Sequence, residues 1–160
     1  MKWTRRRTVA IVGAGLVLAL LLVGDPFAPD SGRATLKPDD AVVAALGQRL
    51  YAGHCAVCHG AKLEGQPNWR ERDAAGRLPA PPHDASGHTW HHPDDQLFRI
   101  TKFGVGKATQ VEDYTSSMPA YEGVLGDAEI VAVLSWIKGQ WPADIRTKHD
   151  EMNRSAARRR

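Results

Sequence analysis

The sequence predicts an all-α fold preceded by an N-terminal transmembrane segment. Apolar residues recur at helical spacing in two well-bounded stretches and one shorter stretch. No segment alternates apolar and polar residues as a half-buried strand would. A third observation is an unbroken apolar run near the start of the chain, from Thr8 to Val23. The 160 residues suffice for one domain once both ends are set aside.

Arg5, Arg6 and Arg7 precede the apolar run, and Gly24-Asp25-Pro26 ends it. Its 16 residues would span about 24 Å as a helix, slightly under the roughly 30 Å of a hydrocarbon core. No small-residue cleavage pair follows Val23, since Leu22 would have to fill one of the small slots. Residues 1–24 are therefore read as an uncleaved signal anchor. The arginines stay cytoplasmic and the chain beyond Asp25 is exported, which in a bacterium means inner membrane and periplasm. Residues 25–37, with Pro26, Pro29, Ser31 and Gly32, read as a linker. Residues 38–142 form the domain, and 143–160 a basic tail whose Arg158-Arg159-Arg160 end is disordered or meets anionic lipid or an acidic partner.

Within the domain, Pro38-Asp39-Asp40 starts a helix with acidic residues in its first turn. Val42, Val43, Leu46 and Leu50 then form a stripe running to Tyr51. Gly47 and Tyr51 stand four apart, a notch followed by an aromatic. A shorter helix runs from Pro93-Asp94-Asp95 through Phe98 and Ile100 to Phe103, before Gly104. Gly126-Asp127 opens the last helix, lined by Ile130, Val133, Leu134 and Ile137. It ends at Gly139, before Trp141-Pro142.

The chemistry concentrates in Cys55-Ala56-Val57-Cys58-His59. These are the only two cysteines, spaced as C-x-x-C-H. Residues three apart share a helix face, so both thiols can reach one edge of a planar macrocycle and add across two vinyl groups of a haem. His59 then lies beneath the iron as an axial ligand. The tether makes the His59–iron bond effectively intramolecular. A structural zinc site would need further thiolate or histidine ligands at matching spacing. A thioredoxin-like motif would need a βαβ context that the flanks lack.

Charge separates the body from its ends. Four basic residues precede the apolar run, and six basic against two acidic residues follow Ile145. Removing both groups from the 21 basic and 18 acidic residues leaves 11 and 16, a net of −5 for the body. Such a surface stays solvated, or is steered toward a basic docking face. It gives no reason to expect a nucleic-acid partner.

Four stretches resemble class I monohaem cytochromes c of the small, membrane-anchored bacterial kind: Gly47 to Tyr51, Cys55 to Gly60, Ser117-Met118-Pro119, and Val133 to Lys138. The resemblance covers roughly Asp39 to Gln140. It implies a haem-wrapping helical domain with one covalent haem c. Its first and last helices cross near Gly47 and Tyr51, and a late-loop methionine completes the iron. The stretch from Asn68 to His92 departs from the short members, because residues 77–92 form a long Pro/His-rich insertion.

For the sixth ligand, Met1 would be cytoplasmic and Met152 lies in the tail. Met118 sits in a polar loop before the last helix, with Pro119 fixing the chain after it. A core-filling role for Met118, or ligation by His83, His88, His91 or His92, remains open at this point. His88-x-x-His91-His92 also has metal-ligand spacing suited to copper or zinc. His54 would meet solvent or a propionate, and Trp69 and Trp90 offer indole donors for a propionate. The carbonyl of Pro79 or of Pro67 could accept the His59 ring N–H. No paired-carboxylate or nucleophile–base constellation is present. The expectation is a non-enzymatic one-electron carrier that serves redox protein partners and takes no small-molecule substrate. An open-site haem protein, a peroxidase or a haem/copper-handling protein is the alternative.

Overall fold

A computed structural model describes residues 33–111 and 114–159. The expected signal anchor, residues 1–24, and Met1 lie outside the described residues. Among the described residues no helix is long and apolar enough to cross a membrane. There are no strands among them. The helices are α1 (Ala41–His54), α2 (Ala56–His59), α3 (Asp94–Phe103), α4 (Val105–Thr109), α5 (Asp127–Gly139) and α6 (Ala143–Arg158), with a 3-10 turn at Thr89–His91.

Helix α1 starts one turn later than its acidic residues suggested. Asp40 is the N-cap, and its carboxylate accepts from the backbone N–H groups of Val42 and Val43. Val43, Gly47 and Tyr51 form its buried face, while Val42 is exposed. Helix α5 follows the expected bounds. Glu129 reaches back 2.8 Å to the N–H of Gly126, one half of a capping box. It is the most buried helix, with Ile130 and Ala132 fully enclosed. Each large apolar side chain buried this way contributes about 1.5–3 kcal/mol.

The two helices cross at Gly47. A Cβ there would stand 2.0 Å from the Ala132 carbonyl oxygen, so only hydrogen lets the backbones approach this closely. Beside the notch, the Tyr51 ring packs on Trp136 at 4.7 Å between centroids, and its hydroxyl donates to the Gly60 carbonyl at 2.8 Å. This ties α1 to the chain beyond α2.

Both ends of the body depart from the sequence expectation. Residues 33–37, part of the expected linker, are ordered against the core. Ala34 and Leu36 are buried, and the N–H groups of Leu36 and Lys37 bond Asp94 Oδ2 (3.0 Å) and Ser135 Oγ (2.9 Å). The expected basic tail is helical over Ala143–Arg158 and docks on the body. Ile145 is buried and His149 completely so. The reason is polar. Lys138, nearly enclosed, pairs with Asp150 at 2.6 Å, and Asn153 bonds Asp94 through both its amide oxygen and nitrogen at 2.8 Å. His149 Nε2 lies 3.0 Å from the His92 carbonyl. A helix held by such a network needs few apolar residues, and its composition reads as polar.

Candidate functional site

Cys55 stands at the joint between α1 and α2, as C-cap of one and N-cap of the other. Its carbonyl accepts from the N–H groups of Cys58 (3.1 Å) and His59 (2.9 Å), so one tight turn carries both sulfurs and the imidazole. The cysteines are free thiols, Cys58 exposed and Cys55 partly covered by the core. Burial pushes the Cys55 thiol up to about 11, against the opposing effect of the neighbouring Tyr121 hydroxyl. It therefore remains S–H near neutrality.

His59 is buried, and its Nδ1 lies 2.8 Å from the carbonyl oxygen of Pro81. A carbonyl only accepts, so Nδ1 carries the proton and Nε2 keeps its lone pair. Burial lowers the His59 pKa, opposed by the Pro81 carbonyl, and the ring stays neutral. The partner is neither Pro79 nor Pro67. The register is set by the Gln66–Ala80 pair, whose two bonds are each 2.9 Å, and by His83 N–H donating to the Leu63 carbonyl at 2.8 Å. Those bonds bring Pro81 over the imidazole.

Met118 is partly buried against the same core cluster as Cys55 and Ala56. Its N–H bonds Ser116 Oγ at 3.1 Å. The chain after it is tied down: Tyr121 N–H donates to the Thr101 carbonyl at the end of α3 (3.1 Å), and Tyr121 Oη to the His54 carbonyl (2.8 Å). Tyr121 thus links the methionine loop to the cysteine turn. No sequence signal marked it.

The remaining histidines are engaged elsewhere. The His83 ring stacks on His59 at 3.9 Å between centroids and 19° between planes. Axial ligands on opposite sides of a metal point nitrogen lone pairs at each other through it, and rings stacked face to face do not. His88 stacks on Trp69 (5.4 Å) and His91 packs edge-on to Trp90 (3.8 Å). Among the described residues, no group of three or more His, Cys, Asp or Glu is arranged to hold a metal ion. The copper or zinc alternative for His88, His91 and His92 thus finds no geometry among the described residues. Trp90 Nε1 reaches the Ala85 carbonyl at 3.4 Å, while Trp141 donates to the His83 carbonyl at 2.7 Å.

A family model described as cytochrome c matches residues 44–141. The chain belongs to the cytochrome c family. No curated protein and no solved structure matches it. A cytochrome c domain carries covalent haem c, here one. The donor set fits that group. Two unpaired thiols sit at C-x-x-C-H spacing, followed by a buried neutral imidazole whose Nδ1 is already committed. The match runs from Ala44, within α1, to Trp141, so the Pro/His-rich segment lies inside the matched range.

Proposed function

We propose that this cytochrome c is a membrane-tethered one-electron carrier whose haem domain works in the periplasm. Cys55 and Cys58 would hold the haem by thioether bonds, and His59 and Met118 would serve as ligands to its iron. The observation that carries the reading is the His59 ring, whose Nδ1 proton is fixed on the Pro81 carbonyl so that Nε2 is left as the donor atom. When bound, the haem supplies an Fe(III)/Fe(II) couple, and a thioether ligand favours the reduced state.

The residues supply position and exclusion. Pro81 holds the proton on Nδ1 and raises the basicity of the ligand. Tyr121 fastens the Met118 loop to the carbonyl beside Cys55. The buried crossing of α1 with α5 keeps the cysteine turn rigid, so little reorganises when an electron moves. The stacked geometry of His83 favours Met118 over that histidine as the second ligand.

Electron donor and acceptor are redox proteins. With α6 docked, residues 33–160 hold 17 basic and 16 acidic residues, so no net acidic charge steers the domain, and the tether keeps it near membrane partners at high effective concentration. No small-molecule substrate is needed, and no nucleic acid takes part.

The test is a reduced and oxidised absorption spectrum of the purified protein, with and without carbon monoxide. The account expects a near-infrared sulfur-to-iron band in the oxidised form and no spectral change with the gas. A reduced protein that binds carbon monoxide would assign an open-site haem protein instead.

A further inference from the structure

The bond to Pro81 restrains the His59 ring at one atom only. Rotation about the Cβ–Cγ bond would still tilt the imidazole plane, because a single hydrogen bond resists out-of-plane swing weakly. A second group meets the ring over its whole face. His83, two residues after Pro81, lies parallel to it at 3.9 Å. Turning the His59 ring would drive one of its edges into His83.

We propose that His83 is a positioning residue that fixes the plane of the His59 imidazole and so tunes the iron bound to it. This rests on His59 being the iron ligand. His83 is itself held from three directions. Its N–H donates to the Leu63 carbonyl (2.8 Å), its carbonyl accepts from Trp141 Nε1 (2.7 Å), and its Nδ1 lies 2.7 Å from Thr89 Oγ1. The backbones of Gly65 and Gly87 approach the preceding Pro82 closely. A Cβ on Gly65 would stand 2.4 Å from the Pro82 nitrogen, and one on Gly87 2.0 Å from its oxygen. One loop thus supplies both restraints on the ligand, the carbonyl at its edge and the aromatic plate on its face. Groups around a metal-bound histidine fix its orientation and alter the electronic character of the metal.

The experiment uses full-length, haem-loaded protein with His83→Leu, His83→Phe and Thr89→Val. The readouts are the electron paramagnetic resonance signal of the oxidised iron and the midpoint potential. Leucine removes the aromatic plate, so the low-spin signal is expected to broaden or split and the potential to shift. Phenylalanine restores the plate, and both readouts should return toward wild type. An unchanged signal and potential in His83→Leu with haem retained would overturn the proposal. So would a phenylalanine variant that behaves like leucine. If His83→Leu yields no loaded protein, Thr89→Val decides, because it loosens the plate without deleting it. A broadened signal or shifted potential relative to wild type supports the proposal, and no change in either overturns it. Wild-type protein without covalent haem, or without histidine-ligated iron, refutes the underlying reading of His59 and is distinguishable from these results.

Discussion

Replacing Gly47 with alanine tests the helix crossing on which the site is built. The added Cβ would lie 2.0 Å from the Ala132 carbonyl oxygen and 2.8 Å from Trp136 Cβ. Real Cβ atoms essentially never come within 3.0 Å of such neighbours, so α1 and α5 must separate by about an ångström. A gap of that size forfeits a quarter to a half of each dispersion well across the contact. Overpacking against backbone belongs at the upper end of its usual range, about 3 kcal/mol. Alanine returns about 1 kcal/mol of helix propensity, so the net loss is about 2 kcal/mol. Gly53 lies in the same helix, but a Cβ added there would meet nothing within 4 Å, and alanine should gain about 1 kcal/mol. The two variants should differ by about 3 kcal/mol, or roughly 10 °C in Tm. Thermal melts of the loaded protein followed by far-ultraviolet circular dichroism measure the gap. Midpoints within about 2 °C of each other would refute the steric argument.

Three further outcomes follow from the same structure. Asp94→Ala leaves the Leu36 N–H and the Asn153 amide without their acceptor and Lys138 with Asp150 alone; urea unfolding should show a loss of about 3 kcal/mol, and a loss under about 1 kcal/mol would mean the network is slack. Burial and then Lys138 lower the His149 pKa against the pull of Asp94, with Asp150 also facing the ring, so the folded chain excludes a proton that the unfolded chain binds below about pH 6.5. Stability therefore falls as pH drops through that window, with His149 contributing a slope of at most about 1.4 kcal/mol per pH unit. His149→Gln should flatten the urea-midpoint profile between pH 5 and 7 by that share, and an unchanged slope would show that His149 does not titrate on unfolding. Met118→Ala should abolish the near-infrared band, lower the midpoint potential and let the reduced iron bind carbon monoxide; a retained band would assign the ligand elsewhere.

The parts of the fold legible in the sequence are those held by apolar periodicity. In α5 the stripe Ile130, Val133, Leu134 and Ile137 is buried, together with Val131, Ala132, Ser135 and Lys138; of the α1 stripe only Val43 is buried, with Leu46 and Leu50 half-buried and Val42 exposed, while Gly47 and Tyr51 complete the buried face. Helix α6 escaped because its buried face is His149, backed by Asn153 and Asp150, whose partners Asp94 and Lys138 lie in other helices. Polar residues with distant partners look like a solvated tail in one dimension. Ala34 and Leu36 escaped because Pro26, Pro29 and Gly32 close by gave the stretch a linker's composition. The cysteine turn was legible because its chemistry is fixed by spacing within five residues. The choice of Pro81 was not, since a one- or two-residue register depends on Gln66 and Leu63 meeting the loop from across the site. His83 was weighed as a ligand, yet nothing local shows that it would lie flat against His59.

The central claim is that Cys55 and Cys58 carry one haem by covalent bonds. The intact mass of the purified protein under denaturing conditions tests it most directly. The account predicts the mature polypeptide plus one haem in the wild type, and the bare polypeptide when both cysteines are replaced by alanine. A wild-type mass equal to the bare chain, with its colour extracted into acidic acetone, would contradict it.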